Sequence, residues 1–319
     1  MNKCTICSYS TEELIKYSRS KNKLKLNYCK RCDWIFSNID KSKSLSEDNL
    51  DISRLKQAGL DIPSHDEDFQ NGLNQSQDYL DLYIDKEIKE YILEIGSSWG
   101  YFLDIVKRNG HNPIGIELND VRRKYINEIL RIDAYKNIDL IEKDKRKFDK
   151  IFMFYVLEYI NNPKRYIEKL YNMLNDKGKL IIITPNKNDV LKEIWCNEGF
   201  KKFFYDDHAI NYFSINSLKK IAKSLNTKRY TIKSKQGYGL INHLKWFFNN
   251  SPSKTGIVGG DKFSLEIGNN LEKLNKNNIE QKEISESIKA LLNKYDSEYK
   301  RLVESKNYGN QLELILIKE

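Results

Sequence analysis

From about Asp78 onward, short apolar runs alternate with amphipathic stretches, and that alternation is the strongest constraint on the fold. Tyr91-Ile92-Leu93-Glu94-Ile95 reads as a short buried strand. Tyr101 to Arg108 reads as a helix with Phe102, Ile105 and Val106 on one face. Gly110 ends it and Pro113 follows. Ile114-Gly115-Ile116-Glu117 is a second strand, and Asn119 or Asp120 caps a helix to about Leu130. Phe148 to Val156 is strongly apolar, and Pro163 opens a helix through Leu174 that stops at Asp176-Lys177-Gly178. Lys179 to Thr184 is a fully buried strand ended by Pro185. Arg229 to Ile232 and Leu312 to Ile317 supply two more. Strands alternating with helices at this spacing predict a parallel, doubly wound α/β sheet.

The first 40 residues follow another rule. Cys4-x-x-Cys7 and Cys29-x-x-Cys32 are two knuckles separated by 21 residues. A two-residue spacer lets both thiolates of one turn reach one metal, and two such turns complete a tetrahedron. Cys4, Cys7, Cys29 and Cys32 therefore predict a zinc ribbon, structural because all four positions are filled by protein thiolates. Ile15 to Tyr28 reads as its hairpin, turning at Ser18 to Asn22. Paired disulfides do not suit a cytosolic setting, and redox CxxC motifs come singly, ahead of a helix. Cys196 stands alone and reads as a small buried apolar residue. Residues 41–77, rich in Ser, Asp, Asn and Gln, read as a linker with one helical turn around Leu55.

The first strand leads into Glu94-Ile95-Gly96-Ser97-Ser98-Trp99-Gly100. A glycine-bearing turn at the carboxyl edge of a sheet lets a ligand approach the backbone. Glycines for a dinucleotide are wanted at offsets zero, two and five. Gly96, Ser98 and Tyr101 hold those places, so NAD fits poorly. Glu117 ends the second strand, where a carboxylate can accept both hydroxyls of a ribose.

This constellation resembles the class I S-adenosyl-L-methionine-dependent methyltransferases. Phe148-Asp149-Lys150-Ile151 through Leu157-Glu158-Tyr159-Ile160 and Asn162-Pro163 is similar to the family's fourth-strand segment, with Tyr159 where histidine is common. Thr184-Pro185-Asn186 matches the end of its fifth strand. The resemblance implies a Rossmann-like, doubly wound, seven-stranded sheet over residues 78–235 and 309–319. It makes Gly96, Ser98 and Gly100 the cofactor loop, with Glu94 ordering the methionine end and Glu117 the ribose.

Asp206-Asp207-His208 to Tyr212-Phe213-Ser214 resembles the H-x-x-x-F-S element that borders the acceptor pocket in small-molecule members of the family. His208 is one of four histidines. An imidazole there can take a proton from a hydroxyl, amine or carbon acid, or it simply fixes the loop. Tyr155 and Glu158, near the end of the fourth strand, are the other catalytic candidates. Residues 236–308 form an insertion before the last strand. It includes a helix from about Glu283 to Val303 with Ile284, Ile288, Leu291, Tyr295, Tyr299 and Leu302 on one stripe. That stripe reads as an acceptor-binding cap, as packing on the body, or as a homodimer seam.

With its two CxxC pairs, the chain is similar to sugar-modifying C- or O-methyltransferases. That implies a small-molecule acceptor, such as an anionic nucleotide-linked sugar or a glycan. The net charge of +9 would also suit an RNA methyltransferase. However, the charges are scattered, and the ribbon lacks dense Arg/Lys and aromatic interleaving. A nucleic-acid partner is therefore not expected. A non-catalytic zinc-ribbon binding protein is the remaining reading, opposed by Gly96, Gly100 and Glu117. No run approaches the ~18 apolar residues of a membrane helix, and no signal peptide opens the chain. The expected setting is cytoplasmic.

Overall fold

The computed structural model describes residues 2–38, 65–225, 227–251 and 279–319. Near the N-terminus, β1 (Glu12–Tyr17) and β2 (Lys23–Cys29) form the expected hairpin, followed by β3 (Trp34–Phe36). Then come α1 (His65–Tyr83), β4 (Tyr91–Ile95), α2 (Tyr101–Arg108), β5 (Asn112–Ile116), α3 (Asp120–Glu128) and β6 (Ala134–Tyr135). Next are α4 (Asp139–Glu142), β7 (Phe148–Phe154), α5 (Pro163–Asn172) and β8 (Leu174–Pro185). The chain continues through α6 (Val190–Glu193), α7 (Glu198–Phe204), β9 (Asn211–Tyr212), α8 (Ile215–Ser224) and β10 (Tyr230–Lys235). It ends with α9 (Leu240–Asn249), α10 (Ile279–Ser305) and β11 (Gln311–Ile317).

Seven strands form the main sheet in the order β10-β11-β8-β7-β4-β5-β6. β8, β7, β4, β5 and β6 are parallel, and β11 runs antiparallel between β8 and β10. This is the expected doubly wound α/β sheet, with a mixed edge. Its strands are apolar on both faces because helices cover both: Ile151, Phe152, Met153, Leu180, Ile181 and Ile182 are all buried. Helix starts follow local chemistry. Asn119 caps α3 by accepting from the Arg122 N–H, and Asn162 caps α5 just ahead of Pro163. Ser214 and Ser217 form a reciprocal capping box at α8.

Two sequence expectations, the linker and Cys196, are corrected, and two other regions gain detail. The linker expected over 41–77 is helical from His65 onward: Leu73 and Leu80 pack into a cluster with Ile92, Phe102 and Phe152, and Phe69 packs on Tyr101 and Tyr125. Polar residues between Phe69, Leu73 and Leu80 dilute the sequence signal. The turn expected around Leu55 lies outside the described residues. Cys196 is exposed, not buried, in a left-handed turn between α6 and α7. On α10, Leu291, Tyr295 and Leu302 face solvent. The helix instead meets the body through Asp296, Tyr299 and Glu304, which hydrogen-bond Leu240, His243 and Gln236. The side chains of Ile284 and Ile288 lie outside the described residues. Finally, the ribbon is joined to the body of the chain. β3 pairs with β9, so β1-β2-β3-β9 is a single four-stranded sheet. No described helix is long and apolar enough to cross a membrane.

Candidate functional site

The carboxyl edge of β4 opens into the Gly96–Gly100 loop. Its backbone is left-handed at Gly96, Ser98 and Gly100, with φ of 75°, 50° and 85°. A Cβ on Gly96 would lie 2.4 Å from Val156 Cγ2, and one on Gly100 would lie 2.7 Å from Leu130 Cδ1. Glycine is thus required here by backbone geometry and by packing against the chain itself. At Ser98 a residue with a Cβ adopts the same conformation. The Gly96 N–H donates to the Ile116 carbonyl at 2.8 Å, which ties the loop to β5.

Glu117 lies across the loop. Its Oε2 accepts from the Ser98 N–H and its Oε1 from the Asn119 N–H, both at 2.8 Å. Glu94, on the adjacent strand, is 5% exposed, and its Oε2 has no hydrogen-bond partner. Burial, and secondarily the Glu117 charge, hold the Glu94 carboxyl well above the usual carboxylate range, with a Ser97 hydrogen bond opposing. A buried carboxylate oxygen without a donor calls for a cationic or N–H group. The ammonium of a bound amino-acid moiety fits that need, so Glu94, Gly96, Ser98, Gly100 and Glu117 suit S-adenosylmethionine in donor chemistry.

Sequence reasoning missed the wall that α1 adds. Tyr101 donates to Asp68 Oδ2 at 2.6 Å, and Phe69 packs edge-on against Tyr101 and Tyr125. Tyr125 meets Trp99, and the Arg122 guanidinium lies over the Trp99 ring. The signal for this wall is the Phe69–Leu73–Leu80 stripe.

Beside the loop, Tyr155 follows β7 with a φ of 56°, a sparsely populated conformation for a non-glycine residue. Its hydroxyl donates to Gln311 Oε1, and burial holds the phenol well above its ordinary value. Glu158 is buried and accepts from Thr184 Oγ1 at 3.1 Å. Its carbonyl accepts from the Ile210 N–H at 2.9 Å, and Asn211 Nδ2 donates to the Ile160 carbonyl at 2.8 Å. The segment carrying His208 is thereby brought against the loop that follows β7. His208 is half-buried, and its N–H donates to Asp206 Oδ1 at 2.7 Å.

The four ribbon sulfurs all lie within 4.8 Å of one another, with Cys4–Cys32 at 3.7 Å and Cys7–Cys29 at 3.6 Å. Thiolates sharing one tetrahedral zinc at ~2.3 Å would stand about 3.8 Å apart. Burial pushes the Cys4 thiol up to about 11 and Cys32 higher still. Burial also acts on Cys7, but hydrogen bonds led by that from Cys32 lower it on balance. Four cysteine sulfurs this close form a donor set that suits a thiophilic divalent metal.

A family described as a methyltransferase domain matches residues 68–228, half of the chain. An uncharacterised protein of Methanocaldococcus jannaschii is 29% identical over 164 residues, covering 48% of this chain and 70% of its own length. The juvenile hormone acid O-methyltransferase of Bombyx mori is 26% identical over 112 residues, covering 31% of this chain and 39% of its own length. The chain thus spans well under half of the insect protein. A solved SAM dependent methyltransferase from Archaeoglobus fulgidus matches at 15% identity with a TM-score of 0.47, covering 79% of this chain and 97% of its own.

Proposed function

Because the chain belongs to the methyltransferase-domain family, we propose that it transfers a methyl group from S-adenosylmethionine to a small-molecule acceptor, and that its ribbon holds one structural zinc. The observation that carries the cofactor reading is the unpartnered, buried Glu94 carboxylate beside the left-handed loop and Glu117. When bound, the cofactor supplies a methyl on a sulfonium, an electrophile for direct displacement. Such a displacement depends chiefly on alignment, so the residues' main work is positioning. Glu94 fixes the ammonium end, Glu117 the ribose, and the loop backbone the atoms between.

The acceptor side is the rim formed by the loop after β7 and by Tyr205–Ser214. For the acceptor we assign a nucleotide-linked or glycan sugar, on the resemblance carried by the two CxxC pairs with His208 to Ser214. His208 is the residue we assign to proton removal, a step that typically contributes 10²–10⁴-fold where an acceptor must lose a proton.

Two measurements test this. Glu117→Ala removes both carboxylate oxygens, each hydrogen bond being worth roughly 1.5–3 kcal/mol. Calorimetry should show S-adenosylhomocysteine binding weakened at least about tenfold, and unchanged affinity in the folded variant would sink the placement. A methyl-tritium transfer assay comparing nucleotide sugars with total RNA should label only a sugar. On the labelled acceptor, His208→Gln should lower kcat about 10²-fold or more, with cofactor affinity within about twofold.

A further inference from the structure

The ribbon and the Tyr205–Ser214 segment are distant in sequence yet share one sheet, and three groups of contacts fasten them. Along the strand pair, Ile35 faces Tyr212 and Phe36 faces Asn211, and the Ser37 N–H donates to the Ile210 carbonyl at 2.8 Å. At the hairpin tip, the Arg19 N–H donates to the Tyr205 carbonyl at 2.9 Å, and its guanidinium meets Asp206 at 3.4 Å. Asn22 Nδ2 donates to Asp207 Oδ1 at 3.1 Å.

The third group centres on Asp33. It follows Cys32 directly and has a left-handed φ of 53°. Its carbonyl accepts from Ser214 Oγ at 2.7 Å. Its carboxylate takes Lys187 Nζ at 2.9 Å, the Tyr28 hydroxyl at 3.0 Å and Asn188 Nδ2 at 3.4 Å. The Lys187 N–H in turn donates to the Phe213 carbonyl at 2.7 Å. One residue of the second cysteine knuckle thus joins the turn after β8 to the strand that carries the acceptor-side loop. The Gly96–Gly100 loop is held from elsewhere, by Ile116, Glu117 and Val156.

We propose that the four-cysteine site orders the Tyr205–Ser214 segment through Asp33 and the β3–β9 pairing, so that metal occupancy sets the acceptor side and leaves cofactor binding unchanged; which side takes the acceptor rests on the methyltransferase reading. The cause is that small thiolate modules fold on their metal. Without it the second knuckle loses the geometry that aims Asp33, and β9 loses its partner strand. Asp33 acts here as a positioning residue.

Hydrogen exchange read by mass spectrometry on the full chain tests this, with zinc bound and after removal by EDTA, metal being counted by a colorimetric chelator. Removal should cost at least tenfold in protection at amides 205–214 and 187–188. Residues 91–106 should keep theirs, and the calorimetric Kd for S-adenosylhomocysteine should stay within twofold. Asp33→Ala should keep its metal and lose protection only at 187–188 and 213–217. Asp33→Asn keeps an acceptor for Tyr28 and Asn188 but no charge for Lys187, and should lose less.

Protection at 205–214 that survives metal removal, or that exists in protein purified without any metal, overturns the proposal. So does an Asp33→Ala protein with undiminished protection at 187–188 and 213–217. If the exchange pattern changes as stated but S-adenosylhomocysteine never binds, the coupling stands and the cofactor reading falls.

Discussion

The Gly96–Gly100 loop, proposed to hold the cofactor, and the Tyr205–Ser214 segment, proposed to border the acceptor, are held by contacts of different range. Gly96, Ser98 and Gly100 are fixed by Ile116, Glu117 and Ser97, all within about one strand–helix–strand unit. Tyr205–Ser214 meets Glu158, Ile160 and Lys187 but is also held by residues far earlier: Asn22 and Asp33 reach it across 185 and 181 positions. Closing so long a span costs chain entropy, which a short two-residue strand such as β9 cannot offset alone. The ribbon supplies the difference with its strand pairing, ion pairs and stacked aromatics. One side of the site is thus hydrogen-bonded within its own neighbourhood, and the other rests in part on a module at the opposite end of the chain.

The largest expected effect is at the joint between those regions. Trp34 is 1% exposed, stacks on Phe36 at 4.1 Å and lies against Phe213 at 6.2 Å. Trp34→Ala should cost about 3–5 kcal/mol in urea unfolding, as large-to-small changes at buried aromatics do. Limited proteolysis should then cut the ribbon and the 205–214 segment while S-adenosylhomocysteine still binds. A cost under about 1 kcal/mol, typical of an exposed residue, would mean the ribbon is loosely tethered and the contrast false.

That contrast also explains what the sequence made legible. The strands β4, β5, β7 and β8 and the helix starts at Asn119 and Pro163 were readable because each is written in adjacent residues: an apolar run, a cap, a stop. Glu94, Gly96, Gly100 and Glu117 were readable as a pattern for the same reason. The α1 wall was not, because Phe69, Leu73 and Leu80 are spread among polar residues and gain meaning only against Tyr101 and the sheet. The β3–β9 pairing left no local mark at all. Strand partners separated by so much chain are chosen by tertiary fit. On the α10 stripe, the body of the chain leaves Leu291, Tyr295 and Leu302 uncovered while Tyr299 bonds His243.

An intermediate effect is expected on the local side. Burial, then the Glu117 charge, raise the Glu94 carboxyl in the folded protein. Its contribution to stability is therefore complete below the ordinary glutamate range and is lost as pH rises through the raised folded value. Glu94→Gln should stabilise the cofactor-free protein at pH 7–8 by about 1–3 kcal/mol and flatten the fall in stability at higher pH. The same change should weaken S-adenosylhomocysteine at least about tenfold, since a charged hydrogen bond is worth roughly 1.5–3 kcal/mol. Opposite signs in thermal unfolding and calorimetry mark a residue strained for function. Matching signs would make Glu94 structural and move the ammonium subsite elsewhere.

The smallest effect concerns Ser98, where backbone and side chain can be separated. Its φ of 50° places a Cβ in a region that costs L-residues roughly 1–2 kcal/mol, a penalty glycine escapes. Against that, glycine loosens the unfolded chain by about 0.5–1 kcal/mol, and the Ser98–Tyr101 side-chain hydrogen bond is lost. The Ser98 N–H to Glu117, a backbone contact, survives either way. Ser98→Gly should therefore change stability by under about 1 kcal/mol, with S-adenosylhomocysteine affinity within about twofold. Ser98→Ala keeps the strain and drops the hydroxyl, so it should be the less stable of the two. If Ser98→Ala instead matches the native protein while Ser98→Gly weakens cofactor binding tenfold, rigidity of the turn is what the loop needs. Serine would then be there because its Cβ restricts the backbone, and the strain would be part of how the loop is held ready for the cofactor.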